Sequence, residues 1–189
     1  MEIAFFWKIL VYGWASSEVL LGLTTRTRRG GGVVKDRGSL ILLWVVIFLA
    51  IFAAETIHSR MPSNMFGGAH WLILVSMIVL LAGIVLRATA ILSLGKAFSS
   101  NVAIRNNQKI YRGSLYRYLR HPAYTGTLLA FLGLGIEVRN WLGFCVLFVP
   151  ITAAFLYRIH VEEIALNEAF GAEYAAYSRQ TKQLIPGIY

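Results

Sequence analysis

Ionisable and aromatic side chains concentrate in two segments of the sequence, residues 87–126 and 158–186. The first contains His121 followed by a proline, and the second contains an acidic pair at 162–163. Arginine and carboxylate side chains bind charged ligands, whereas histidine and glutamate also transfer protons. These residue types indicate a binding or catalytic site, so the elements between the two segments must bring them together.

The composition is typical of an integral membrane protein. The 189 residues are 57% hydrophobic and 14% charged, whereas a soluble domain has about 25% charged residues. An ordinary soluble domain is therefore excluded, and the 13% of aromatic residues also excludes a disordered chain. We predict a single membrane domain, 1–189. One cysteine, Cys145, forms no internal disulfide, and no Cys/His cluster predicts a metal site.

Five apolar stretches predict membrane helices, and each long one approaches the roughly 20 residues that cross a bilayer core. They are residues 4–23, 39–57, 70–94, 124–136 and 141–157. The last two are separated by a polar turn at 137–140, which predicts a helical hairpin. Its shorter arm covers only about 20 Å. The alternative is a four-helix protein in which 124–157 is one bent, re-entrant element.

Basic residues predict the orientation in the membrane. Fourteen Lys and Arg residues lie in the loops 24–38 and 95–123 and in the tail, against three on the opposite side, Lys8, Arg60 and Arg139. The positive-inside rule places both loops and the C-terminus in the cytoplasm and the N-terminus outside. The net charge of +9 follows from this asymmetry, and we expect no nucleic-acid partner.

The tail after the last apolar stretch is polar but periodic. At helical spacing it carries Glu162, Leu166, Phe170, Tyr174 and Tyr177. This pattern predicts a cytoplasmic amphipathic helix from Arg158 onward, with a bend or break at Gly171. The proline at 186 ends helical structure. A helix that only lies on the membrane surface is the alternative reading.

Two basic residues have unusual positions. His121 precedes a proline, which suits the first turn of a helix, so we expect His121 at the start of the 124–136 helix, where free N–H groups favour an anion. A simple interfacial anchor is the alternative. Arg87 lies about 10–12 Å inside the third span, where an arginine faces a partner or a cavity. The alternative to a functional role for Arg87 is a structural ion pair with Glu18 or Glu55.

Three sequence patterns then point to a known family. They are Arg120-His121-Pro122-x-Tyr124-x-Gly126, Glu162-Glu163 followed by Phe-Gly-x-Glu-Tyr-x-x-Tyr, and the terminal Leu184-Ile185-Pro186. Together they resemble the isoprenylcysteine carboxyl methyltransferase family, over residues 83–189. The resemblance implies an all-α membrane protein that uses S-adenosyl-L-methionine as methyl donor. It also implies a cofactor site formed by 95–126 and 158–189, and a lipophilic or lipidated substrate that reaches it from the bilayer.

The resemblance assigns roles residue by residue. It implies catalytic roles for Arg87, Arg158 and Glu163. It implies cofactor contacts for Arg120, His121, Pro122, Tyr124, Gly126, Glu162, Tyr174, Tyr177, Leu184, Ile185 and Pro186. Arg87 matches an arginine near the substrate carboxylate, whose two oxygens suit the guanidinium fork. O-methyl transfer to an ionised carboxylate needs no base, whereas a phenol or amine needs one, for which His121 or Glu163 is the candidate.

Two other functions compete with methyl transfer. An NADPH-dependent membrane reductase of the sterol type would use Arg112, Arg117 and Arg120 for the 2′-phosphate, although the acidic pair at 162–163 speaks against it. A non-enzymatic membrane scaffold does not explain an arginine inside a span. The sequence leaves open the acceptor and the oligomeric state.

Overall fold

The computed structural model describes residues 2–25, 32–34, 36, 38–64, 71–105 and 109–188. Their elements are α1 (Glu2–Thr24), β1 (Gly32–Val34), α2 (Ser39–Arg60), α3 (Leu72–Leu94), β2 (Ala103–Arg105), α4 (Pro122–Glu137), α5 (Trp141–Phe170) and α6 (Ala172–Gln180). Short 3-10 turns cover Gly95–Ala97 and Ser114–Arg117. Several residues used for the predictions lie outside the described ranges: Arg26, Arg28, Arg29, Lys35, Arg37, His70 and Tyr189.

The membrane architecture agrees with the predicted apolar stretches. Four helices, α1, α2, α3 and α5, are long and apolar enough to cross a membrane. The predicted hairpin is present, because α4 and α5 are separated by the three residues 138–140. With 16 residues α4 is shorter than the others, so a fifth crossing remains a prediction.

Small residues bring α3 and α4 into close contact, and this pair is the most extensive helix packing in the described protein. A Cβ atom on Gly126 would lie 2.5 Å from the backbone nitrogen of Arg87, and one on Gly133 would lie 2.7 Å from that of Leu80. Backbones approach this closely only where no side chain intervenes, as is common between membrane helices. Gly126 therefore fixes the position of Arg87.

The remaining helices surround this pair. α2 packs along α5, and α1 contributes two buried tryptophans, Trp7 and Trp14, to the apolar core. Trp14 packs edge-to-face on Phe131 of α4 at a centroid distance of 5.2 Å. The core thus joins helices from both halves of the chain.

The fifth helix extends beyond the predicted apolar span. The sequence predicts a span at 141–157 and an amphipathic helix from Arg158 onward, and the structure joins the two in one helix, α5, which continues to Phe170. Residues 158–170 contain no helix breaker, and the change from apolar to polar composition does not by itself end a helix. The break comes at Gly171, whose φ of +51° favours glycine. The amphipathic face is therefore divided between α5 and the nine-residue α6.

A short ribbon adds to the predicted all-α fold. β1 pairs antiparallel with β2, with Val33 opposite Ile104. The ribbon ties the loop after α1 to the loop after α3, and Ser100 Oγ also donates to the carbonyl of Gly22 at 3.2 Å. Both loops therefore lie at the same end of the bundle as Arg158, which contacts Asp36.

Candidate active site

A cavity of about 430 Å³ lies at this end of the bundle. One wall is apolar and comes from α1 and α2, including Trp14, Leu43 and Ile47. The rest of the lining combines apolar and polar side chains from α3 to α6 and the loops between them. The polar lining residues include Glu18 of α1 and, from the rest of the chain, Arg87, Arg120, His121, Tyr124, Arg158, Glu162, Tyr174 and Tyr177. A ligand with a polar head and an apolar body matches this mixed lining.

Glu163 holds three of the lining residues in place. Its Oε1 atom accepts hydrogen bonds at 2.8 Å from Nε of Arg120, Nε2 of His121 and the hydroxyl of Tyr174. The donors come from the start of α4 and from α6. A carboxylate with two cationic or potentially cationic donors and a phenol is strongly fixed. Glu163 thus connects both predicted segments through a single oxygen.

Arg158 is the centre of a second network. It is 2% exposed, and its NH1 lies 3.1 Å from Oδ1 of Asp36 and 3.0 Å from Oγ of Ser39. Its Nε donates to the hydroxyl of Tyr124 at 3.1 Å, and NH2 donates to the carbonyl of Ser100. A buried guanidinium needs such satisfied donors. Arg158 therefore joins α5 to α2, α4 and the loop after α3.

Glu162 is the more accessible member of the acidic pair. Its side chain is 30% exposed, and its Oε2 accepts from the Tyr124 hydroxyl at 2.7 Å. Nδ1 of His121 lies 3.9 Å from the same oxygen. Within the described residues no arginine forms an ion pair with Glu162, and Glu162 lines the cavity.

Arg87 pairs with Glu18, one of the two partners considered from the sequence. Both Nε and NH2 of Arg87 donate to the two carboxylate oxygens of Glu18, and NH1 donates to the carbonyl of Ala123 at 3.2 Å. Trp14 Nε1 adds a third donor to Glu18 at 3.1 Å. Arg87 thus forms a structural ion pair, and this pair lies in the wall of the cavity.

Buried tyrosines form part of the lining near α6. The hydroxyl of Tyr177 donates to the carbonyl of Tyr116 at 2.6 Å. Burial raises the pKa of Tyr177 to about 12. Burial raises the pKa of Tyr116 still further, and the nearby acid Glu162 adds to this effect. Burial and the nearby acid Glu163 do the same for the pKa of Tyr174. All three phenols therefore stay protonated near neutral pH, and those of Tyr174 and Tyr177 donate to Glu163 and to the carbonyl of Tyr116.

The end of the chain lies beside the start of α4. The backbone N–H groups of Arg120 and His121 donate to the carbonyls of Lys182 and Gln183 at 2.8 and 3.1 Å. Thr125 Oγ1 donates to the carbonyl of Leu184 at 2.8 Å. Hydrogen bonds thus fix the terminal segment to the His121 region.

The cavity brings together eight of the fourteen predicted site residues. They are Arg87, Arg120, His121, Tyr124, Arg158, Glu162, Tyr174 and Tyr177. All five residues of the predicted amphipathic face also line it, including Leu166 and Phe170. The face seen in the sequence is therefore an inner wall.

The other six predicted residues lie outside the cavity lining. Glu163 is hydrogen-bonded to His121, which does line the cavity. Gly126 packs on α3, and Pro122 is buried at the first position of α4. Leu184 is 6% exposed, whereas Ile185 is 49% exposed and Pro186 is also exposed. The catalytic role predicted for Glu163 and the cofactor contacts predicted for the other five residues stay predictions.

Sequence reasoning missed some partners of the site. Asp36 and Ser39 bind Arg158, and Tyr116 lines the cavity. Asp36 had a usable signal, because it is the acid in the otherwise basic loop 24–38 and lies three residues before an apolar helix. The Asp36 carboxylate accepts from the N–H of Leu40, as expected near a helix start.

Comparison with known proteins agrees with this geometry. The model of the isoprenylcysteine carboxyl methyltransferase (ICMT) family matches residues 74–168, about half of the chain. The chain belongs to the ICMT family. The matched range contains Arg87, His121, Tyr124, Arg158 and the acidic pair.

Individual ICMT relatives are similar over the same region. Protein-S-isoprenylcysteine O-methyltransferase B of Arabidopsis thaliana is 28% identical over 62% of this chain and 61% of its own length. The Protein-S-isoprenylcysteine O-methyltransferase of Tribolium castaneum is 32% identical over 63% of this chain and 43% of its own length. Methanethiol S-methyltransferase 1 of Bradyrhizobium diazoefficiens is 34% identical over 38% of this chain and 24% of its own length. The chain thus spans less than two thirds of these relatives.

The fold is also that of a solved ICMT structure. The eukaryotic intramembrane Ras methyltransferase ICMT superposes with a TM-score of 0.58 at 28% identity, over 79% of this chain and 51% of the other. This likeness, together with the apolar helices, makes the chain an integral membrane protein of this family.

Proposed function

We propose that this protein is an S-adenosylmethionine-dependent methyltransferase that modifies a lipophilic acceptor. The observation that carries the proposal is the cavity, because apolar side chains from α1 and α2 and the polar family residues line the same space. A water-soluble donor and a lipid-borne acceptor would each meet a matching surface there. Membership of the ICMT family supports the same activity.

The residues of the cavity fit the methyl donor. Its volume of about 430 Å³ lies within the usual range for cofactor pockets. Tyr174 and Tyr177 offer aromatic surface for an adenine ring, and the carboxylate of Glu162, which has no arginine ion pair among the described residues, suits a positively charged group. When bound, S-adenosylmethionine would supply an electrophilic methyl group on a sulfonium.

The protein residues would contribute position and electrostatics. Tyr124 links Arg158 to Glu162 and so fixes the acidic group at the cavity wall. Glu163 fixes His121 and Tyr174 on either side. Holding two reactants in line accounts for much of the acceleration of such displacements. We assign Arg158 and Glu163 to positioning, and Glu162, Tyr174 and Tyr177 to donor contact.

The orientation in the membrane belongs to the same proposal. The polar end of the bundle faces the cytoplasm and the N-terminus faces outward, because most basic residues lie in the loops at the polar end. The acceptor reaches the cavity from the bilayer, along the apolar surfaces of α1 and α2 that line it. Cytoplasmic donor and membrane acceptor then meet near the interface.

The reductase alternative receives little support from the arginines that it needs. Arg112 pairs with Glu173 at 3.2 Å, and Arg120 pairs with Glu163. Arg117 lies over the ring of Tyr118. Each of the three guanidinium groups thus has a partner, which disfavours a 2′-phosphate site made from them.

Calorimetry of the detergent-purified protein tests the proposal. We expect binding of S-adenosylhomocysteine and no binding of NADPH. If NADPH binds and S-adenosylhomocysteine does not, the result would favour the reductase function. Failure of both ligands to bind would overturn the enzyme assignment in favour of a scaffold.

A further inference from the structure

The Glu18–Arg87 ion pair lies in the wall of the cavity and occupies the arginine that a carboxylate substrate would use. The two side chains are 16% and 14% exposed. Glu18 takes two N–H groups of Arg87 in the forked, bidentate arrangement, and Ala123 takes a third. The N–H groups with which Arg87 could bind a carboxylate ligand are thus already bound to Glu18 of α1.

A second carboxylate at Arg87 would meet a physical obstacle. It would have to displace Glu18, which would then remain in the cavity wall with Trp14 Nε1 as its remaining described donor. A poorly solvated carboxylate that loses its cation is strongly destabilised. If Glu18 stayed in place, two carboxylates would share one guanidinium, and like charges at short distance repel.

The other lining arginines do not offer a substitute. Arg158 pairs with Asp36, and Arg120 pairs with Glu163. Glu162 adds a carboxylate that has no direct arginine ion pair among the described residues and reaches Arg158 through the hydroxyl of Tyr124. The lining also contains His121, whose Nε2 donates to Glu163, and Lys109, which is exposed in the loop after α3. The inner part of the cavity therefore favours a head group without negative charge.

We propose, on the basis of the methyltransferase function above, that the acceptor has an uncharged head group, a thiol or a phenol on an apolar body, and that Glu18 excludes carboxylate acceptors. Methylation of such a group forms a bond from its sulfur or oxygen to the methyl carbon. The methyl–sulfur bond of the sulfonium donor breaks, and its electron pair stays on that sulfur. The thiol or phenol proton passes to Oε1 of Glu162, which has no described hydrogen-bond partner, and then to water.

A binding experiment with a matched ligand pair tests this exclusion without turnover. The probes are N-acetyl-S-farnesylcysteine, which carries a carboxylate, and its carboxamide, which has the same apolar body and no charge. Their dissociation constants are measured on the detergent-purified full chain saturated with S-adenosylhomocysteine. We expect the wild-type protein to bind the carboxamide about tenfold more tightly or better.

The variant Glu18→Gln isolates the cause. It keeps the shape of the side chain but releases the charge of Arg87, so the affinity for the carboxylate should rise by about tenfold while that for the carboxamide stays nearly constant. The matched control is Glu55→Gln, the same change on the exposed side of α2 and outside the cavity lining. It should leave the ratio of the two affinities at the wild-type value.

Several outcomes would overturn the inference. Wild-type protein that binds the carboxylate as tightly as the carboxamide excludes it, and this comparison stands even if Glu18→Gln does not fold. A folded Glu18→Gln variant with an unchanged ratio also excludes it. If the wild-type protein does not bind S-adenosylhomocysteine, the methyltransferase proposal is refuted instead. Failure of the proposed function and failure of the carboxylate exclusion therefore give different results.

Discussion

The hydroxyl oxygen of Tyr124 lies 2.7 Å from Oε2 of Glu162. Tyr124 belongs to the first turn of α4, and Glu162 belongs to the C-terminal half of α5. The same hydroxyl accepts from Arg158 at 3.1 Å. One phenol therefore connects the buried cation of the site to its most accessible acid.

Removal of this hydroxyl should weaken donor binding. In Tyr124→Phe, Arg158 loses an acceptor and Glu162 loses its donor, which costs about 1–3 kcal/mol and frees the Glu162 side chain. We expect the affinity for S-adenosylhomocysteine to fall by about tenfold, measured by calorimetry. Tyr157→Phe, at a 44% exposed position of α5, is the control. Unchanged affinity in Tyr124→Phe would remove this bridge from the site.

Glu163 should matter for stability as well as binding. Glu163→Gln takes a negative charge away from Arg120 and His121, and breaking a buried pair costs about 3–5 kcal/mol. The apparent melting temperature in detergent should fall clearly, and S-adenosylhomocysteine affinity should fall by more than about tenfold. Glu173→Gln breaks the exposed Arg112 pair and should cost less than about 1 kcal/mol. Equal effects of both variants would contradict the central role of Glu163.

The close contact between α3 and α4 should be intolerant of a single methyl group. Gly126→Ala places a Cβ 2.5 Å from the backbone of Arg87, so the helices must separate at a cost of about 1–3 kcal/mol. Gly13→Ala on α1 is the control, because no atom lies within 4 Å of its added Cβ. Thermal unfolding in detergent should show a loss of stability only for Gly126→Ala. A stable Gly126→Ala variant would mean that the two helices are not held this closely.

Alkaline pH should destabilise the protein through its buried phenols. The pKa of Tyr177 is about 12 in the folded protein because of burial, against about 10 in an unfolded chain. Between these values the unfolded state binds fewer protons, so stability is full below about pH 10 and declines as the pH rises toward 12. Melting temperatures from about pH 9 to 11 should fall less steeply in Tyr177→Phe. An identical slope in both proteins would refute this contribution.

Thiol labelling should reveal the orientation in the membrane. In a Cys145→Ser background, Ser63→Cys after α2 should react with an impermeant reagent added to intact cells. Ile188→Cys, at a 75% exposed position of the tail, should react only after permeabilisation, because the basic loops hold that end in the cytoplasm. Labelling of Ile188→Cys alone in intact cells would invert the proposed topology.

The local character of the helices could be read from the sequence. The apolar run at 39–57 lacks charged residues until Glu55 and is long enough to span a bilayer, and the structure has α2 there. His121 before a proline predicted a helix start, and His121 precedes the first residue of α4. The periodic residues from Glu162 to Tyr177 line one cavity, although they belong to the two helices α5 and α6. Such features depend on neighbours along the chain, which the sequence contains directly.

The continuity of the helix past residue 157 could not be judged in the same way. A change to polar composition marks the limit of the apolar span, but a helix ends where the backbone conformation changes, at Gly171. The sequence predicted a bend or break at this glycine, whereas the union of the apolar span and the amphipathic segment in one helix depends on the packing of α5.

The choice of partners was decided by the tertiary structure alone. Arg87 had two possible acids, and Glu18 is the one that meets it, because the α3–α4 contact at Gly126 fixes its backbone. Arg158 meets Asp36, 122 residues away in sequence. Periodicity assigns a residue to a face of its own helix, but the angle and depth at which two helices pack depend on all the side chains between them. That packing determines which charges neutralise each other and which, like Glu162, remain available to a ligand.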